Sequence, residues 1–468
     1  MEKGKENKVL LGDAGDMNIN DPNKCKEFFK KHKKLFIVIA SVIVIVLILF
    51  FLIYFLLKKS NKKEEEFKKN NTLKLIYYNS EEGVDITLFS SKIISHISSL
   101  VIDGKEKEQI NNYYTFNIIG EHTININLKT NLVSLSEMFK YNSYLIQADF
   151  SNLITTEVND TSQMFYGCKN LVSIDFNNFN TPSLKNMSDM FNGCSNLNSI
   201  NISSFDSKNV KDMSNLFYGC YNLENIELTN IDTQNVENMR GMFSSCVSLK
   251  NLNLNNFKTS KVKDMKQMFY KCFCLKEIDL SSFDTSQVTS MENMFNLCTG
   301  LENINLENFD TSKVKDMNNM FASCLSLNSI QLWKSTSNLV ENMSNMFHGC
   351  TNLLNINLDS FDTQKVKLMG MMFYGCQSLL SLNISHFKTP NVENIEGIFG
   401  RCTKLLTIDI RNFETNKLVV QANLLNEALD GGTIYYNSKI FNKSLLDYKS
   451  IKSWKKIDVS KSYLNYFD

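Results

Sequence analysis

The chain has 468 residues, a formal net charge of +1 and 43% hydrophobic residues. So balanced a charge gives no global basic field for nucleic acid, and that apolar content excludes general disorder. The length allows two or three ordinary domains or one long array.

Residues 1–34 carry no visible address motif and read as a short cytoplasmic tail containing Cys25. Residues 35–57, "LFIVIASVIVIVLILFFLIYFLL", hold no charge over 23 residues. At roughly 1.5 Å per residue such a helix crosses a hydrocarbon core of about 30 Å. The run is too long for a secretory h-region and lacks a small-residue cleavage site, so it reads as a retained single-pass transmembrane helix. Lys24, Lys26, Lys30, Lys31, Lys33 and Lys34 precede it; Lys58, Lys59, Lys62 and Lys63 follow. This lysine bias favours an inside N-terminus, hence a type II signal anchor at the cell surface. A charged linker, 58–71, comes next.

Residues 72–131 read as a β-rich N-terminal cap. Within it "YYTFNIIGEHTININL", Tyr113 to Leu128, predicts a hairpin turning at Gly120-Glu121.

From 132 to 418 the chain repeats itself. Cys168, Cys194, Cys220, Cys246, Cys272, Cys298, Cys324, Cys350, Cys376 and Cys402 are each 26 residues apart. A fixed period in the 20–50 residue range is the mark of a solenoid. Within one unit, Met187, Met190, Phe191, Cys194 and Leu197 have the spacing of one face of a short helix and its exit. Asn186, Asp212, Asn238, Asp264, Ser290, Asp316 and Asn342 stand where an N-cap would accept an orphan amide. Gly167, Gly193, Gly219, Gly349 and Gly375 precede the cysteine, where a helix ending in positive φ favours glycine. Next, "LNSINISSF" alternates around Ile200 and Ile202 and predicts a short strand with one face inward. A polar Asp-Thr-Ser corner and an inward Val210 close the coil.

One unit cannot bury its own apolar face, so each copy packs on the next. The prediction is an α/β solenoid: a leucine-rich-repeat-like right-handed coil of about 11 repeats, each a short parallel strand plus a short helix, behind one transmembrane helix. At about 4.8 Å per coil it would run roughly 50 Å. Residues 419–468 form a C-terminal cap, in which Ile434 and Tyr436 keep the phase of Ile408 and Ile410 as one more strand and the tail with Trp454 covers the open end.

The motif C-x-x-L-x-x-[IL]-x-[LI]-x-x-F-D-T-[SQ]-x-V-x-x-M-x-x-M-F resembles the BspA-type leucine-rich-repeat surface proteins, in particular their 26-residue variant. The resemblance runs from about Leu132 to Phe413. It implies a membrane- or wall-attached surface protein linked to adhesion, and it carries over no catalytic or ligand residues. Departures are Asn142 in place of the first cysteine, Thr161 for a methionine, and Ser335 in place of the phenylalanine in "WKSTSNL", which predicts a local bulge.

Three columns invite chemistry. One cysteine per coil does not converge into a four-ligand zinc site, and in-register Cβ atoms sit slightly too far apart for a disulfide ladder; the reading is buried thiols acting as small hydrophobes. Cys274 falls outside the column and should be more exposed. The column Asp206, Asp232, Asp284, Asp310 and Asp362 suits a calcium corner, but Lys258 and Lys388 share it, and turn hydrogen bonding explains it equally well. The outward strand face presents Asn201, Glu227, Asn253, Asp279, Asn305, Gln331, Asn357, Asn383 and Asp409. This is the candidate interaction face. It lacks arginine and aromatic residues, which disfavours nucleic acid and a tight hot spot. No nucleophile–base constellation or metal cluster appears, so no enzyme activity and no cofactor are expected. The expected function is a membrane-anchored surface protein whose ectodomain serves adhesion or recognition of a protein or glycan; the alternative is a cytoplasm-facing membrane-tethered scaffold, which free thiols would suit.

Overall fold

The computed structural model describes Lys30, residues 47–51, Tyr54, residues 71–419, 423–428, 431–446 and 453–461. The chain divides into two units, Met1–Lys69 and Asn70–Asp468. In the first, residues 47–51 and Tyr54 are helical. The rest of the expected span 35–57, like Cys25, lies outside the described residues. Among the described residues, no helix is long and apolar enough to cross a membrane.

The second unit opens with β1 (Thr72–Asn79), β2 (Val84–Thr87), β3 (Ile97–Ile102), β4 (Lys105–Glu106), β5 (Tyr113–Phe116) and β6 (Gly120–Leu128). β6 pairs antiparallel with both β1 and β3, while β5 pairs with β2. The expected 113–128 hairpin is therefore corrected. β6 has inward residues to bury on two neighbours (Ile124 and Ile126, both fully buried), and the central place in a sheet gives it more than a turn to β5 would. β1 then hands over to the array through β7 (Leu145–Asp149), which it meets antiparallel, and β7 pairs parallel with β8 (Ser173–Asp175).

Beyond that lies a β-solenoid of about twelve turns. Short rungs recur as β9 (Ser199–Asn201), β10 (Asn225–Glu227), β11 (Asn303–Asn305), β12 (Ser329–Gln331), β13 (Ser381–Asn383), β14 (Thr407–Asp409) and β15 (Thr433–Tyr436). All rung pairs are parallel and in register, for example Ile304 opposite Ile330. β16 (Lys455–Asp458) adds to β15, and Trp454 closes over Gly432, where a Cβ would meet its ring at 2.6 Å.

The short helix of the α/β expectation is absent: the Met-x-x-Met-Phe segment is a run of tight turns. Its amides alternate. Met187, Asp189, Phe191 and Gly193 donate to the next coil at Asp212, Ser214, Leu216 and Tyr218, over 2.7–3.0 Å. Between them Asn192 donates back to Asp189 and Cys194 to Phe191. A helix keeps every amide within its own segment; here half of them point along the solenoid axis, which excludes the helix. The left-handed steps that make this possible fall at Asp189 (φ 56) and Gly193 (φ 76). The expected cap residues do accept an amide, as Asn186 does from Ser188 at 2.9 Å, but they open a turn. They also stack as a ladder of single parallel bridges running from Ser134 to Asn394.

Side chains pack column on column. From Phe139 to Phe399 the Met-Phe rings form an unbroken stack, with centroids 5.3–6.2 Å apart and near-parallel planes. A second column, not anticipated, is the threonine of the Asp-Thr-Ser corner. Thr285 is fully buried; its hydroxyl donates to the Asp310 carbonyl at 3.0 Å and accepts the Asp310 amide at 2.7 Å. Ser207, Thr233, Thr259 and Thr389 repeat this exchange. Thr285→Val keeps the shape but strands a buried amide and carbonyl, and should cost about 2 kcal/mol in urea unfolding; an unchanged midpoint would remove this column from the account of stability.

One coil departs. Ser335 stands where its neighbours have phenylalanine, and Trp333 is drawn inward to fill the gap. The indole is buried, lies 5.2 Å from the Phe361 ring and donates Nε1–H to Ser337 at 2.7 Å. Leu332 is displaced: Leu254, Leu280, Leu306, Leu358 and Ile384 of the same column are buried, whereas Leu332 is half-buried.

Candidate recognition face

The cysteine column sits deep and reduced. All ten of its thiols are free and buried. Each donates to the carbonyl of a phenylalanine one coil back, as Cys298 does to Phe269 at 3.0 Å and Cys350 to Phe321 at 3.2 Å. They are thus weak donors as well as small hydrophobes, and they tie coil to coil. Burial pushes the Cys298, Cys350 and Cys402 thiols up to about 12. Cys274, in contrast, is exposed. In the folded protein at pH 8 a maleimide should therefore leave the column untouched, and Cys274→Ser should remove one equivalent of fast label; rapid labelling of Cys298 without denaturant would contradict the packing.

The Asp column is explained locally. Asp232, Asp284, Asp310 and Asp362 each accept the amide two residues on, at 2.9–3.0 Å. Among the described residues, no group of His, Cys, Asp or Glu is arranged to hold a metal ion.

Of the outward strand column, Asn201, Glu227, Asn253, Asp279, Asn305, Gln331, Asn357 and Asn383 are exposed and Asp409 is half-buried. Eight of the nine have a local duty. Asn201 accepts from the Ser203 amide, Glu227 from Thr229, Asn253 from Asn255, Asp279 from Ser281, Asn305 from Glu307, Asn357 from Asp359, Asn383 from Ser385 and Asp409 from Arg411, at 2.8–3.2 Å. The turn after each rung requires such an acceptor, so the polar identity of the column is set first by the fold. Gln331, in the displaced coil, is the exception: among the described residues its side-chain amide makes no such bond.

The strand ladder is not continuous. Residues 251–253, 277–279 and 355–357 form no rung, and β8 does not pair with β9, so β9–β10 and β11–β12 stand as separate two-stranded sheets. A cleft opens at each of the two places where rungs are missing. One, of about 490 Å³, is lined by Asn251, Leu252, Asn253, Glu277, Ile278 and Asp279. The other, of about 470 Å³, lies between the Trp333 coil and the next, with Gln331, Leu332, Trp333, Asn357, Asp359 and Ser360 on its walls. Continuous sequence alternation predicted a rung in every coil and could not locate these openings; the one signal was the irregular "WKSTSNL".

A family described as "Mycoplasma protein of unknown function, DUF285" matches residues 133–252, 248–339 and 329–435, well over half of the chain. The chain belongs to this family. The DUF285 match spans the coils that carry the stacked Phe and Cys columns, and it includes both clefts. No curated protein matches the chain. Among solved structures, a chain from a crystal structure of a TLR13–ssRNA13 complex is similar at 17% identity, with a TM-score of 0.25, over 66% of this chain and 47% of that one. The present chain thus spans about half the length of that protein. At that score two chains do not superpose as one overall fold, and the coil geometry above rests on its own hydrogen bonds.

Proposed function

We propose that this protein is a membrane-anchored, non-catalytic surface protein whose solenoid recognises protein or glycan partners, in line with the adhesion role that its resemblance to BspA-type proteins implies. The observation that supports this reading is the exposed polar face, held on fixed rungs and interrupted by two ligand-sized clefts. The uncharged run 35–57 would supply the anchor, with the N-terminus cytoplasmic. Free thiols are an objection to an oxidising exterior only where they can react. Ten of them are buried and hydrogen-bonded, and a neutral thiol without access to oxidant stays reduced.

An antibody against the repeats should stain intact cells, and external protease should remove the epitope. Staining only after permeabilisation would overturn the surface assignment in favour of a scaffold facing the cytoplasm.

A further inference from the structure

We propose that the Trp333 coil carries a binding subsite for a neutral carbohydrate, centred on the cleft between Gln331 and Asp359. The proposal names the ligand class for the recognition face and rests on the reading above. What sets this cleft apart from the other is a single local exchange. With Ser335 in the phenylalanine column, Trp333 turns inward to fill the vacancy. That turn pushes Leu332 out of the core and releases Gln331 from the turn bond that every other member of its column makes. The next coil forms no rung against β12, as residues 251–253 and 277–279 form none at the other cleft, and a cleft of about 470 Å³ lies here. The size falls in the range that takes a small ligand.

The lining argues for the ligand. Leu332 and Ile330, both half-buried, give an apolar floor. Around it stand the free Gln331 amide, the Asp359 carboxylate and the Ser360 hydroxyl. Paired donors and acceptors over an apolar floor match the vicinal hydroxyls and C–H face of a sugar ring. Electrostatics excludes an anion: the one cation of the cleft, Lys334, is already paired with Glu307 at 3.0 Å, and Asp359 adds uncompensated negative charge. A sulfated glycan or a nucleic acid would meet that carboxylate unscreened.

The chain has two tryptophans, so a Trp454→Phe background leaves Trp333, buried behind the wall of the cleft, as the reporter. The experiment uses the full chain in lipid nanodiscs, which avoids sugar detergents. Lactose, diacetylchitobiose and mannobiose are titrated beside a sulfated heparin disaccharide and a lysine-rich peptide. Expected is a saturable change in Trp333 emission with at least one neutral disaccharide. Gln331→Ala and Asp359→Ala should weaken it about tenfold, and Glu277→Ala in the other cleft should leave it unchanged. Gln331 and Asp359 are exposed, so both variants should melt with the parent, and this is checked. No response to any neutral disaccharide, a response confined to the sulfated sugar or the peptide, or a neutral response that survives both substitutions would each overturn the proposal. Cell-surface staining that persists alongside such a failure removes only the subsite, whereas its loss removes the surface reading itself.

Discussion

Phe269→Ala should cost about 3–5 kcal/mol and split the array in two. The ring is fully buried between Phe243, 5.8 Å away and 4° from parallel, and Phe295, 5.4 Å away and 11° from parallel. Truncation removes the transfer free energy of the ring and leaves a cavity that rigid neighbouring coils cannot fill. The backbone duties remain: the Phe269 carbonyl still accepts the Cys272 amide and the Cys298 thiol, so the loss is confined to packing. In a solenoid each coil contacts only its neighbours, and stability is close to a sum of coil and interface terms. A mid-array cavity weakens two interfaces at once, and the coils on either side should then unfold as separate blocks, giving a broadened or two-step urea transition. Phe399 is the control. It has one aromatic neighbour in its column, Phe373 at 6.2 Å, and stands near the C-terminal end. Phe399→Ala should cost less and fray that end without dividing the rest. Equal losses and one sharp transition for both variants would contradict the nearest-neighbour account.

What could be read beforehand follows from which forces write a strict signal. Burial does: the inward Leu, Ile, Met, Phe and Cys positions recur without slippage because each must fill the same volume against its own copy, and the strand of β15 keeps the phase of β14 for the same reason. Backbone direction does not. Met187, Met190, Phe191 and Cys194 share a side whether the segment is helical or a run of turns, and the distinction lies in where alternate amides point. The residues at positive φ held the available clue. Asn215, Asn293, Asn319 and Asn345 occupy one column, and Asn tolerates the left-handed region far better than a helix interior favours it. The buried threonines were legible too: a solvated corner has no reason to keep Thr or Ser at 233, 259, 285, 311, 337, 363 and 389. For the recognition face the difficulty ran the other way. Asn and Asp at the end of every rung look like a display surface, yet Asn253 or Asn305 is retained by the turn it closes. Function is better sought where that rule lapses, at Gln331, and the lapse depends on a ring two residues away reaching into a column that lost its own.

Restoring the repeat consensus at the first coil should be harmful. Asn142 stands where the next ten coils have cysteine, and Asn142→Cys should destabilise the protein by about 3 kcal/mol. In the array the thiol donates to a phenylalanine carbonyl one coil back; behind Asn142 there is no coil, only the cap sheet. The amide is built for that boundary. Its Nδ2 donates to the Thr87 carbonyl at 2.8 Å and to Tyr77 Oη at 3.0 Å, while Oδ1 accepts the Leu145 amide at 3.2 Å and the Tyr144 amide at 3.3 Å. Tyr77 is itself fully buried and donates to the Leu88 carbonyl; burial holds its phenol well above the usual range. Cysteine offers one weak donor and no strong acceptor, so the buried Leu145 amide and Tyr77 hydroxyl and the half-buried Tyr144 amide would lose their partner, the buried groups costing about 1–3 kcal/mol each. The damage should be local. Hydrogen exchange should accelerate in β1, β6 and β7, where the cap meets the array, and stay unchanged from β11 onward, since coils that distant share no interface with residue 142. The reverse exchange, Cys298→Asn, should also destabilise, because a buried amide in mid-array meets no carbonyl set to receive both of its protons. If Asn142→Cys melted with the parent and left exchange in β1 unaltered, the cap would owe its attachment to β1–β7 pairing alone, and the asparagine would be a neutral departure from the repeat.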